Sequence, residues 1–205
     1  MLVGSALLYL VVLILGARVS HGVKPLAVDI DLYRALRSVR FLTRFVDLGS
    51  APTVAVLSGV LGVFALERRD AFGVVVCVLG PAAAGALTQW VAKPLVGRRL
   101  PWHTNVYPSG HVTGAAAVAV VALVLAHRYG GRRTALAVAP IALCVPLVVA
   151  VGVIMRVYHY ATDAIGGLAI GVATAVVVVL VADAVERRAT ARTIAAESRP
   201  PSPTL

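Results

Sequence analysis

The sequence predicts an all-α integral membrane bundle of six transmembrane helices, with an interfacial amphipathic helix between the first two. Three observations carry that expectation. Of 205 residues, 60% are hydrophobic and only 14% charged, whereas soluble domains carry roughly a quarter charged residues. The mean hydropathy is +0.91. The apolar residues also gather into six runs, approximately Leu2–Ala17, Ala51–Leu66, Ala71–Ala92, His111–Ala126, Ala135–Met155 and Asp163–Val185, each near the length needed to cross hydrocarbon.

The first run superficially resembles a secretory signal. It lacks a basic start and a small-residue cleavage site, so a retained span is expected. Residues 18–47 connect it to the second run. Arg34, Arg37, Arg40 and Arg44 fall on one helical arc there, and Leu32, Leu36, Val39, Leu42 and Val46 on another. That fits a helix lying in the interface with its apolar side down; an ordinary solvated basic face fits the pattern equally well. Between the later runs the charges alternate. Arg68 and Arg69 follow the second, Arg128, Arg132 and Arg133 the fourth, and Arg187, Arg188 and Arg192 the sixth. The positive-inside rule makes these three regions cytoplasmic, so the connections at 93–111 and 156–163 fall on the outer face of a cytoplasmic membrane. Residues 1–195 read as a single helical domain, and 196–205, with Pro200, Pro201 and Pro203, as a disordered tail. Cys77 and Cys144, both inside apolar runs, read as small buried hydrophobes.

The formal charge of +10 is almost wholly arginine, since Lys24 and Lys93 are the only lysines. The arginines are spread over short loops with no aromatic platform beside them, which argues against nucleic acid as a partner and for attraction to anionic lipid headgroups.

Asp163 is the only carboxylate between Ala71 and Ala182. Ionisable groups in lipid-facing segments are costly and usually serve a site. The short list here is Lys93, Arg98, Arg99, His111, Arg156, His159 and Asp163, all near segment ends. They suit an anionic substrate. Pro108-Ser109-Gly110-His111 opens a helix whose unpaired N–H groups favour an anion. Ser109 adds a hydroxyl, Gly110 allows close approach, and His111 can donate a proton to a departing oxygen; a plain N-cap with a helix-end histidine is the alternative. Lys93 with Arg98 and Arg99 suits phosphate held on several oxygens, or else anchors snorkelling at a membrane boundary. Helical spacing puts Arg156, His159 and Asp163 on one face. Asp163 can accept the Nδ1–H of His159 and leave Nε2 free to attack phosphorus.

These three blocks, Lys93…Pro101, Pro108-Ser109-Gly110-His111 and Arg156…His159-x3-Asp163, resemble the signature blocks of the type-2 phosphatidic acid phosphatase superfamily. The resemblance spans roughly residues 51–183. It implies a helical membrane lipid phosphatase working through a phosphohistidine without metal or other cofactor. By position, His159 would be the nucleophile, Asp163 its orienting partner, and His111 the general acid and later base; Lys93, Ser109 and Gly110 would hold phosphate oxygens. Two positions depart from the family. Leu100 stands where the first block carries arginine, with Arg98 or Arg99 as substitutes, and Val153 stands where the third does, with Arg156 one turn nearer the histidine. A lone aspartate committed to His159 is also a poor magnesium cage.

The expected substrate is a lipid phosphate or diphosphate, a polyprenyl diphosphate first, and phosphatidic acid or phosphatidylglycerol phosphate next. A phosphoryl or headgroup transferase, and an inactive relative that binds or transports a lipid phosphate, are the alternatives.

Overall fold

The computed structural model describes residues 1–101 and 105–197. Among them the secondary structure is helical throughout. The predicted tail lies outside the described residues from position 198 onward.

Helix α1 (Leu2–Val19) buries only Ser5, Val12, Gly16 and Val19. Leu8 and Leu15 pack against the same core, whereas Leu2, Val3, Leu7, Leu10, Val11, Leu13 and Ile14 face outward, as lipid-facing side chains do. It is held to the bundle by Tyr9, whose hydroxyl lies 2.9 Å from that of Thr174. Helix α2 (Ala27–Ala35) starts where the Asp29 carboxylate accepts the Leu26 N–H at 2.9 Å. A 3-10 helix (Arg37–Gly49), kinked at Val39, follows. It bends by 61° into α3 (Ala51–Glu67), which Ser50 caps and Pro52 opens. The expected interfacial helix is therefore two helices, the second wound as a 3-10 helix. Its four arginines are exposed, while Val46 joins the buried cluster that includes Val149 and Val153, and Leu32 and Leu36 pack against that cluster. Much of the predicted apolar arc is thus covered by protein.

Helix α4 (Ala71–Ala86) runs through a π-helical stretch (Leu87–Ala92) into α5 (Lys93–Val96). Pro94 has no N–H to give the preceding turn, and the chain widens into π turns just before it. Gly97, at φ 59°, closes α5 by donating its N–H to the Lys93 carbonyl.

Helix α6 (Gly110–Met155) unites the fourth and fifth predicted spans. Gly131, at φ 69° and ψ −166°, breaks it. The two halves lie side by side, because Gly49 abuts both the His111 carbonyl and Val149; a straight helix would separate those residues by about 57 Å. Cys77 is buried, but Cys144 is exposed among the outward-facing Ile141, Leu143 and Leu147, contrary to expectation. Helix α7 (Ala161–Glu197) packs against α1, α4 and α6.

By length and composition, four of the described helices could cross a membrane: Leu2–Val19, Ala71–Val96, Gly110–Met155 and Ala161–Ala195. The bent pair Arg37–Gly49 and Ala51–Glu67 makes a fifth. The sequence-based count of six differs because it divides α6 at Gly131 and takes α3 as a span by itself.

Candidate active site

The start of α6 comes close to α7 because α7 carries glycine where they touch. A Cβ on Gly167 would stand 2.6 Å from the Ser109 carbonyl, and one on Gly171 2.5 Å from that of Thr113. Both are closer than carbon can approach, so these two positions set the spacing that brings His111 towards His159.

A cavity of about 720 Å³ opens there. Lys93, Gly110, His111 and His159 line its polar part, and Val54, Ala55, Val78, Pro81 and Ala82 its apolar walls between α3 and α4. Gln89, in the π-helical stretch, also faces it, a polar group the sequence did not single out. The π turns re-aim this stretch of α4, and a register change of that kind has no signature in the apolar run.

The remaining expected residues lie around the cavity. Ser109 is fully buried; its N–H donates to the Asp163 carbonyl at 3.0 Å and its Oγ has no hydrogen-bond partner. Arg99 is exposed, with its N–H on the Gly22 carbonyl. Arg156 sits 4.0 Å from Asp47 and 5.7 Å from the Tyr158 ring. Neither arginine lines the cavity.

Arg98 is the largest departure from expectation. It is 0% exposed and does not line the cavity. Its Nη1 donates to Thr162 Oγ1 at 2.6 Å and to Asp163 Oδ1 at 2.5 Å, and its Nη2 donates to Asp29 Oδ2 at 2.9 Å. The Tyr160 ring lies 4.1 Å from the guanidinium. Asp29 Oδ1 in turn accepts the N–H and hydroxyl of Thr162 at 2.8 and 2.9 Å. A buried guanidinium needs such partners, and two carboxylates supply them. Asp29 escaped the sequence reading because 69 residues separate it from Arg98 and it falls in none of the motifs.

Asp163 is also 0% exposed, and both its oxygens are engaged: Oδ1 by Arg98, Oδ2 by the Tyr160 N–H at 2.9 Å. His159 Nδ1 lies 3.7 Å from Oδ2 and has no hydrogen-bond partner. That is an electrostatic contact rather than the expected hydrogen bond. Burial raises the Tyr160 phenol, and the carboxylates of Asp163 and Asp29 add to this against the opposing charge of Arg98; its hydroxyl donates to the Val23 carbonyl at 2.7 Å. His159 also borders a second cleft of about 570 Å³, flanked by Tyr33, Arg34 and Arg37.

The turn that presents His159 has a Schellman geometry. The Tyr158 N–H bonds the Val153 carbonyl and the Val157 N–H that of Ile154, with Val157 at φ 57°. A β-branched residue in the left-handed region is strained, here directly beside the site.

At the other end of the same helices, Arg128 binds Asp70 at 2.8 and 3.0 Å and Glu186 at 2.7 and 3.2 Å, and Tyr129 donates to Asp70 at 2.8 Å. Arg68 covers Phe64 and Tyr129. Three of the loops expected on one side of the membrane therefore meet at one end of the bundle, away from the cavity.

Long apolar helices around a cavity with two imidazoles and an ammonium at its polar end define a helical integral membrane protein. The PAP2 superfamily model matches residues 87–187 of the chain. The fold is similar to that of a transmembrane PAP2-type phosphatidylglycerolphosphate phosphatase from Bacillus subtilis. That likeness has a TM-score of 0.66 at 19% identity and covers 90% of this chain and 96% of the other. No curated protein sequence matches the chain.

Proposed function

We propose that this protein is a membrane lipid phosphatase that works through a phosphohistidine on His159. The supporting observation is the single cavity in which Lys93, Gly110, His111 and His159 share one end and apolar walls the rest. A phosphate fits the cations and the helix start, and a lipid tail fits between α3 and α4.

In the proposed reaction, His159 Nε2 bonds to phosphorus as the lipid P–O bond breaks, and His111 gives its proton to the departing lipid oxygen. His111 then takes a proton from water. The resulting hydroxide attacks phosphorus, the P–N bond breaks, and phosphate leaves. Lys93, with Ser109 and Gly110 at the start of α6, holds the non-bridging oxygens and stabilises the charge of the transition state. The reaction takes positive charge from the chain itself, so no metal or other cofactor is invoked. A polyprenyl diphosphate remains the first candidate substrate; phosphatidic acid and phosphatidylglycerol phosphate follow, the last being what the structural neighbour's description says it acts on. The proposal includes a single domain over 1–195, six crossings with α6 divided at Gly131, and a cavity on the extracytoplasmic face of the cytoplasmic membrane.

The test is phosphate release by purified protein in detergent over a lipid-phosphate panel, with chelator present. Activity is expected to survive EDTA and vanish in His159→Ala; the opposite result on either count overturns the mechanism. One observation favours a rival. With Arg98 committed to Asp29 and Asp163, fewer cations face the phosphate than the family pattern implies, as in a protein that binds lipid phosphate without turnover. Tight binding with no release by wild type would identify that case.

A further inference from the structure

We infer that Asp29 is a positioning residue for the His159–Asp163 pair, acting through Arg98 and Thr162. The inference rests on the phosphohistidine reading above and extends it to a segment outside the family match at residues 87–187.

Asp29 reaches Asp163 by two routes. Through Oδ2 it holds Nη2 of Arg98, so that only Nη1 is left for Asp163 Oδ1. Without that counter-charge the guanidinium fork is free to close on Asp163 with both nitrogens, the geometry such pairs favour. That would draw Oδ2 off the Tyr160 N–H and away from His159. Through Oδ1 it grips the N–H and hydroxyl of Thr162, the residue before Asp163 in the first turn of α7. Thr162 Oγ1 meanwhile accepts from Arg98, which closes the ring of contacts. Charge completes the case. Asp29, Arg98 and Asp163 sum to one negative charge; removing Asp29 leaves none to face an imidazole that becomes cationic during phosphoryl transfer. Lys93 on the cavity side, and Arg34 and Arg37 on the second cleft, add positive charge around His159.

Asp29→Asn keeps the size and cancels the charge. Displacement of a reacting group by about 1 Å can cost about 100-fold, so kcat is expected to fall by roughly 10- to 100-fold, with KM held within about threefold. NMR of nitrogen-labelled histidine, assigned with His159→Gln, should show the His159 ring signals moved in Asp29→Asn without substrate. Asp29→Glu, which retains the charge, should keep more of kcat than Asp29→Asn. A merely structural Asp29 would lower the yield of folded protein yet leave kcat per folded molecule and the His159 signals unchanged, and that result overturns the inference. If Asp29→Asn does not fold, Thr162→Val removes the hydroxyl between Asp29 and Arg98 while both charges stay; unchanged kcat and ring signals there overturn it as well. Should wild type release no phosphate from any lipid, the phosphatase reading fails, while the NMR comparison still decides the role of Asp29.

Discussion

Arg98 illustrates how one side chain can be placed by charge rather than by motif. Its guanidinium is fully buried between Asp29 and Asp163, and breaking a buried pair by removing one partner costs about 3–5 kcal/mol. Arg98→Gln is therefore expected to lower the unfolding temperature sharply in detergent, more than Arg99→Gln, whose side chain is exposed. His111→Ala, by contrast, should leave stability near wild type and reduce kcat by about 10²- to 10⁴-fold, the usual worth of a general acid. Asp70, outside the site, carries a pH dependence. Burial raises its carboxyl, but hydrogen bonds from Arg128, Tyr129 and Gly73 outweigh this and hold it below the ordinary value of 3.8. Its folded pKa thus lies under its unfolded one, so its contribution is present above about pH 4 and lost as pH falls through the folded value. Thermal unfolding followed from pH 6 to 3 should show a steeper acid loss in wild type than in Asp70→Asn.

At the level of elements, two backbone features set the site. Val157 occupies the left-handed position of the Schellman turn that ends α6, where glycine is the natural occupant. Val157→Gly is expected to stabilise the fold by about 1 kcal/mol, read as a higher unfolding temperature; the looser turn beside His159 should lower kcat at the same time. Gly171 lies against the Thr113 carbonyl with no space for a side chain. Gly171→Leu should push α7 off α6, cost about 3 kcal/mol or more, and abolish activity by separating His111 from His159. The apolar runs were legible in the sequence because they follow helical periodicity. The expected helical face of Arg156, His159 and Asp163 did not form, because α6 ends at Met155 and the turn at Val157 carries His159 before α7 begins at Ala161. The 3-10 winding of 37–49, kinked at Val39, and the π turns before Lys93 were not legible, since neither change of winding leaves a mark in the pattern of apolar residues.

For the whole molecule, Arg68, Arg128 and Glu186 meet at one end of the bundle and the cavity opens at the other. If the arginine-rich end is cytoplasmic, a cysteine introduced as Arg132→Cys, in a background with Cys77 and Cys144 replaced, should react with impermeant maleimide only after the membrane is opened. Labelling from outside intact cells would invert the proposed topology.

Membrane-spanning character and helical architecture were readable from residue order. Hydrophobicity and charge alternation are local, and a helix carries such local patterns directly into geometry. Only the tertiary structure decided that Arg98 faces Asp29 and Asp163 rather than the cavity, and that Asp163 meets His159 at 3.7 Å without a hydrogen bond. Those outcomes depend on contacts across 69 and 133 residues, which form because a buried guanidinium takes whichever carboxylates the fold brings within reach.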